Sequence, residues 1–315
     1  VYRDARHRHS CLSGTAIMTA WRTTGGRVID RSRPYRFKFD GEEYRGFAGD
    51  TLASALLANG VDLVGRSFKY HRPRGIVAFG ADEPNAIVQV GEGAGAEPNV
   101  KATQVELVDG LVAFSQNRFP SLRWDIGAIN DLIAPLLPAG FYYKTFKWPA
   151  KAWPWYEKWI RHAAGMGRTP LGSDLDRYET VHTHTDLLVI GGGIAGLAAA
   201  DSAAANGRRV ILINDASRFG GVPADEPLEG IEQSAWVEEL VSRLARNPQV
   251  TLRSRTIVTG HFDDNLVMAI EQVLGAGPRL RRHMIACDQI VLATGAFERP
   301  LLFKNNDRPG VMLAE

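Results

Sequence analysis

Cysteine is scarce in this chain. Cys11 and Cys287 are the two thiols among 315 residues, too few for a disulfide framework, and a reduced cytoplasmic setting fits them. Long apolar runs are missing too. None approaches the ~20 residues needed to span a bilayer, so no membrane partner is expected. No sign of charge dominates, and a net charge of +2 makes no case for nucleic acid. Catalytic patterns are also absent: there is no nucleophile motif, no metal-ligand set and no evident acid–base pair. What is present is an apolar content of 45%, enough for real cores, and a length that suits two ordinary domains.

The densest signal is Asp186–Gly221, DLLVIGGGIAGLAAADSAAANGRRVILINDASRFGG. Leu187–Ile190 is a short apolar run suited to a buried parallel strand. Gly191, Gly193 and Gly196 follow in G-x-G-x-x-G spacing. The first permits a tight turn, the second lets backbone approach a pyrophosphate, and the third lets helix and strand pack closely. A helix is expected over Ile194–Ala205. Its first residues, Ile194 and Ala195, would turn unpaired N–H groups toward the phosphates. Gly207 ends it, and Val210–Ile213 is the second strand.

A carboxylate usually meets the ribose hydroxyls about 20 residues past the glycines. Asn214 holds that place, with an acceptor oxygen but no charge. Asp215 takes the role if the strand runs one residue longer; otherwise it only starts the next turn. Arg218 either contacts a phosphate or is solvated, and Gly221 closes the motif. Further on, Val250–Arg253 reads as a strand, and Thr256–Gly260 with Leu266–Val273 as a small meander. A strand at Ile290–Leu292 then enters Ala293-Thr294-Gly295. An A-T-G strand end of this kind returns beside a dinucleotide, so Thr294 and Gly295 join the candidate site.

The N-terminal part reads differently. Residues 1–17 are basic and lack the apolar core of a secretory signal. They are expected to be an arm or upstream translation before Met18, and His7 and His9 are stray. Tyr35–Phe39 alternates as a strand, Asp40-Gly41 signals a hairpin, and Glu43–Gly46 begins the return. Asp50-Thr51 caps a helix over Leu52–Asn59. Ile87–Val90 is another strand. This is the order of a ubiquitin-like or ferredoxin-like β-grasp. Where a plant-type ferredoxin has C-x4-C-x2-C, GIVAFGADEPNAIVQV places Ala78, Glu83 and Ala86, so no iron–sulfur cluster is expected. The stretch from Asn99 to Thr180 is rich in aromatics, among them Phe141, Tyr142, Tyr143, Phe146, Trp148, Trp153, Trp155, Tyr156 and Trp159. It is either a docking surface or a connector wrapped on its own domains. His71 either helps hold a phosphate or packs in the core, and the pair His182 and His184 lacks a third metal ligand.

RSFKYHRPRGI (Arg66–Ile76), EPNAIVQV (Glu83–Val90), EPNVKATQVEL (Glu97–Leu107), the block from Ser115 to Phe146, and LATGAFERPLLFKNNDRPGVMLA (Leu292–Ala314) resemble the alpha subunit of heterotetrameric sarcosine oxidases. The resemblance implies beta, gamma and delta partner subunits. It implies a complex that oxidatively demethylates sarcosine, giving glycine, formaldehyde or methylene-tetrahydrofolate, and hydrogen peroxide. The amine-oxidising flavin belongs to the beta subunit, and an FMN sits at a subunit boundary. The glycine fingerprint of the alpha subunit binds NAD, with FAD as the alternative. Relatives that keep the cluster cysteines act as amine or proline dehydrogenase subunits. A scaffold with a vestigial nucleotide site and an FAD-dependent amine or proline dehydrogenase subunit are the competing readings.

The expected fold is α+β and α/β. A cluster-less ferredoxin-like β-grasp domain (23–98) follows an arm (1–22). An aromatic-rich connector (99–180) leads to a Rossmann-type dinucleotide-binding domain of the flavoprotein kind (181–315), expected to be incomplete and to aggregate when isolated. No residue of this chain is assigned a catalytic or metal-binding role.

Overall fold

The alternating run that opens the first unit forms strand β1 (Asp30–Phe39), which turns at Asp40-Gly41 into β2 (Glu42–Ala48). Both turn residues have positive φ, 50° and 87°, which matches the twist of a two-residue hairpin. Phe37 and Phe39 point inward from β1. Helix α1 (Leu52–Ala58) covers them, and its Leu52, Ala55 and Leu56 are fully buried. A reciprocal capping box starts this helix: Thr51 Oγ1 accepts the Ser54 N–H at 3.1 Å, and Ser54 Oγ accepts the Thr51 N–H at 3.0 Å. This is a computed structural model, and it describes residues 21–23, 28–136, 140, 148–221, 233–275 and 277–313.

Two short strands, β3 (Gly65–Arg66) and β4 (Pro73–Arg74), pair with each other. The main sheet of this unit is completed by β5 (Ile87–Val90), β6 (Glu97–Lys101) and β7 (Leu111–Ser115), in the order β2-β1-β7-β5-β6. Strand β7 runs parallel to β1, pairing Phe37 with Leu111. It lies in the middle of the sheet although it is the last strand in sequence. A boundary at residue 98 would therefore fall inside β6 and leave the central strand outside the domain. The core gathers Phe37, Leu52, Leu56, Val64, Val88, Leu107 and Ala113. In the same unit, helix α2 (Trp153–Ala164) exposes Trp155 and Trp159. Residues 1–20 of the expected arm and the aromatics Phe141, Tyr142, Tyr143 and Phe146 lie outside the described residues. The end of that arm is not free, since Arg22 pairs with the Asp50 carboxylate of the first unit.

The second unit falls within 173–299. Its six-stranded sheet runs β10-β9-β8-β13-β12-β11. The parallel part consists of β8 (Tyr178–Ile190), β9 (Val210–Ile213), β10 (Val250–Arg253) and β13 (Leu280–Leu292); β11 (Thr256–Phe262) and β12 (Leu266–Gln272) are antiparallel. Every residue of β9 is buried, as a strand covered on both faces requires. One face meets helices α3 (Ile194–Ala205) and α4 (Gln233–Arg246) through Leu197, Ala200, Val237, Leu240 and Leu244. The other holds Leu188, Ile211, Ile213, Val267 and Ile285. Strands β8 and β13 are each 13 residues long and pair along nearly their whole length. The apolar tips Leu187–Ile190 and Ile290–Leu292 are only their ends, and they differ in burial: Leu187, Leu188 and Val189 are buried, whereas Ile290 and Val291 are half-buried and Leu292 is exposed. Beyond them β8 is largely polar, and β13 alternates buried and half-buried side chains through Met284–Cys287.

Candidate dinucleotide site

The β8–α3–β9 crossover sets three glycines at the carboxyl ends of the parallel strands. Gly191 has φ 110°, and a Cβ there would collide with the Ala293 carbonyl. Its N–H donates to Ile213 O at 2.9 Å, while the Ala293 N–H donates to Ile190 O at 2.8 Å. The glycine turn is thereby locked between the ends of β9 and β13. Gly196 is equally constrained, because a Cβ would drive into the Gly191 carbonyl. Gly193 is not: its φ is −73°, and an added Cβ meets nothing within 4 Å. As N-cap of α3 it has no side-chain capping bond, and the first turn carries no acid. The N–H groups of Ile194 and Ala195 stand there at the positive end of the helix dipole. Open space before an uncapped helix start suits an anion.

Asn214 is buried and fully engaged. Its Oδ1 accepts the Gly192 N–H at 3.3 Å; its Nδ2 donates to Ala216 O at 3.3 Å and Arg218 O at 2.5 Å. It clamps the loop after β9 onto the glycine turn. Asp215 is exposed, and its carboxylate takes only the Ala216 N–H at 2.9 Å. Arg218 is exposed, and its carbonyl serves the clamp. Gly220 does what the motif alone did not reveal: its N–H donates to Gly192 O at 2.8 Å, forming a bridge between the two glycine segments. Gly192 has no room for a Cβ against Phe219 and Asn214. The adjacent glycines 191–193 and 220–221 were the available signal for both. Gly221 and Gly295 have positive φ of 71°, and Thr294 and Gly295 are exposed beside Ala293. No group of three or more metal-ligating side chains occurs among the described residues.

The loop expected to align with ferredoxin cluster ligands is built around Glu83. This residue is fully buried, and its carboxylate accepts four backbone N–H groups, from Val77, Ala78, Asn85 and Ala86. Close by in sequence, His71 is buried with φ 50°, and its Nδ1 lies 2.7 Å from the buried Asp125 carboxylate. That environment is a packed one.

Residues 32–118 match a family described as a 2Fe-2S iron-sulfur cluster binding domain, and 185–313 one described as pyridine nucleotide-disulphide oxidoreductase. The chain is 49% identical over 307 residues to sarcosine oxidase subunit alpha of Rhizobium meliloti (strain 1021), covering 94% of this chain and 31% of that protein. This chain is a homologue of sarcosine oxidase alpha subunits. The Corynebacterium sp. (strain U-96) sarcosine oxidase subunit alpha is 35% identical, over 96% of this chain and 28% of its own length. The chain thus spans about a third of the sarcosine oxidase alpha subunits it matches. L-proline dehydrogenase from P. horikoshii shares the fold, with a TM-score of 0.55 at 23% identity over 89% of this chain and 44% of that one.

The family match corrects one expectation. The absence of an iron–sulfur cluster rests on Ala78, Glu83 and Ala86 alone, whereas the domain that matches a cluster-binding family extends over hairpin, helix and sheet. A β-grasp core is recognisable whatever its loop carries. The residues present nevertheless do not fit a thiolate-held cluster. The two cysteines stand at 11 and 287, outside the matched span, and the loop offers a carboxylate already bonded to backbone.

Proposed function

We propose that this chain is the dinucleotide-binding portion of a sarcosine oxidase-type alpha subunit, and that its ligand is NAD. The observation that carries this reading is the uncapped start of α3 behind Gly193, with open space before it. In this reading the Ile194 and Ala195 N–H groups hold the pyrophosphate, and Gly193 gives it close approach. Asn214 keeps the turn in register. Asp215, exposed at the end of β9, faces the ribose. The dinucleotide supplies hydride-transfer capacity when bound. The described residues of this chain contribute binding and orientation.

The oxidation of the amine then falls to partner subunits, beta, gamma and delta in the heterotetrameric arrangement. Their overall reaction takes sarcosine, oxygen and water to glycine, formaldehyde and hydrogen peroxide. The exposed tryptophans of α2 support a docking role, since aromatic residues are enriched at interface cores. The test is calorimetry of the purified chain with NAD and with FAD, then co-expression with the three partner subunits and an assay for peroxide on sarcosine. NAD binding and a four-subunit complex support the reading. A flavin spectrum on the isolated chain moves the assignment to FAD, and no nucleotide binding leaves only a scaffold.

A further inference from the structure

We propose that residues 77–86 form an anion cradle whose occupant is the chain's own Glu83 carboxylate, and that this internal ligand holds the loop in its folded form. Oε2 accepts the N–H groups of Val77 and Ala78, each at 2.8 Å. Oε1 accepts those of Asn85 at 2.6 Å and Ala86 at 2.9 Å. Donors from both limbs of the loop converge on one group. The residue is 0% exposed, and no Lys, Arg or His among the described residues is paired with it.

A carboxylate taken out of water is costly unless hydrogen bonds replace its hydration. Backbone N–H groups turned toward a single point form a concavity suited to an anion. The geometry is therefore reciprocal. The loop makes Glu83 tolerable inside the protein, and Glu83 gives three buried donors and one part-buried donor their acceptor. The rest of the loop is fastened through its carbonyls. Thr103 Oγ1 donates to Gly80 O at 2.7 Å, Lys101 Nζ to Ala81 O, and the Leu313 N–H to Val77 O at 2.8 Å. None of these bonds uses the four N–H groups of the cradle.

The shape of the cradle specifies its ligand class. Two donors on each side match the two oxygens of a planar carboxylate. Once freed of its own occupant, the cradle should take formate, the smallest free carboxylate. A carboxamide fits badly, because its NH2 would face two N–H donors.

The test uses the full chain, with hydrogen exchange read by mass spectrometry over the peptides that contain 77–86. Wild type, Glu83→Gln and Glu83→Ala are compared in sodium formate and in sodium chloride of equal ionic strength. Exchange across the loop should be at least ~10-fold faster in both variants. Formate, and not chloride, should restore protection in Glu83→Ala, and should leave wild type and Glu83→Gln unchanged. Wild-type protection of either variant in chloride overturns the proposal, as does a Glu83→Ala exchange rate that is the same in formate as in chloride. If Glu83→Ala does not fold, the exchange of Glu83→Gln decides alone. The outcome does not depend on whether the second unit binds a dinucleotide.

Discussion

Gly193 and Gly196 stand three residues apart, and their constraints come from different sources. The backbone at Gly196 is pressed against the Gly191 carbonyl, so the fold itself demands glycine there. At Gly193 the demand comes only from the ligand proposed for the turn. Gly196→Ala should therefore destabilise the second unit by about 2 kcal/mol or more, read by urea denaturation. Gly193→Val should cost less, about 1 kcal/mol, the penalty of a branched residue at an N-cap. It should also weaken NAD binding at least ~100-fold by calorimetry, a loss of about 2.7 kcal/mol. If the two variants behave alike, the anion does not sit at this turn. The spacing of these glycines was legible in the sequence. The role of Asn214 was not, because its partners Gly192, Ala216 and Arg218 come together only when the loop after β9 folds back.

At the scale of elements, two carboxylates hold structure together, one buried and one half-buried. Asp50 precedes helix α1, and its side chain is sealed from solvent. It pairs with Arg22 at 2.6 Å, while accepting the Phe47 N–H at 2.9 Å and the Ser54 hydroxyl at 2.7 Å. Arg22→Met would leave a buried carboxylate without its counter-ion, and should cost about 3–5 kcal/mol in denaturant unfolding of the first unit. In the second unit, Glu271 on β12 meets His283 on β13 at 2.7 Å and Arg281 at 3.1 Å. Burial pushes its carboxyl up. Hydrogen bonds from His283 and Arg281, with Arg253 nearby, outweigh this and hold it below the ordinary glutamate range. A depressed folded value means that the unfolded state binds the proton more readily. The pair's contribution is then present above the ordinary glutamate value, and is lost as pH falls through the folded one. Glu271→Gln should be less stable than wild type near neutrality, and the gap should close as the pH is lowered into the acid range. A gap independent of pH would remove the carboxylate from this role. Neither set of partners is readable from spacing alone, since each joins residues ten or more positions apart.

At the scale of the whole molecule, the chain carries two separate cores, and a ligand bound to one should act on that one. A saturating dinucleotide stabilises the state that binds it by about 2.7 kcal/mol at a hundred times its dissociation constant. NAD should therefore raise the unfolding transition that Gly196→Ala lowers, and leave the transition that Arg22→Met lowers where it is. Scanning calorimetry of the full chain with and without NAD reads this directly. A shift of both transitions, or of neither, argues against a dinucleotide site confined to residues 173–299.

What the sequence determined by itself was local. Helix Ile194–Ala205 and strands Val210–Ile213, Ile87–Val90 and Val250–Arg253 have the bounds their patterns predict, because glycine punctuation and short apolar runs act over a few residues. Tertiary structure decided what depends on distant partners. Leu111–Ser115 became the central strand of the first sheet by pairing with β1 some seventy positions earlier. Strands β8 and β13 gained their polar lengths from each other, across about a hundred residues. Glu83 marks the limit most plainly. In sequence it is a charged residue standing where a plant-type ferredoxin has a cysteine. In the fold it is a buried anion, because four backbone N–H groups converge where its carboxylate lies.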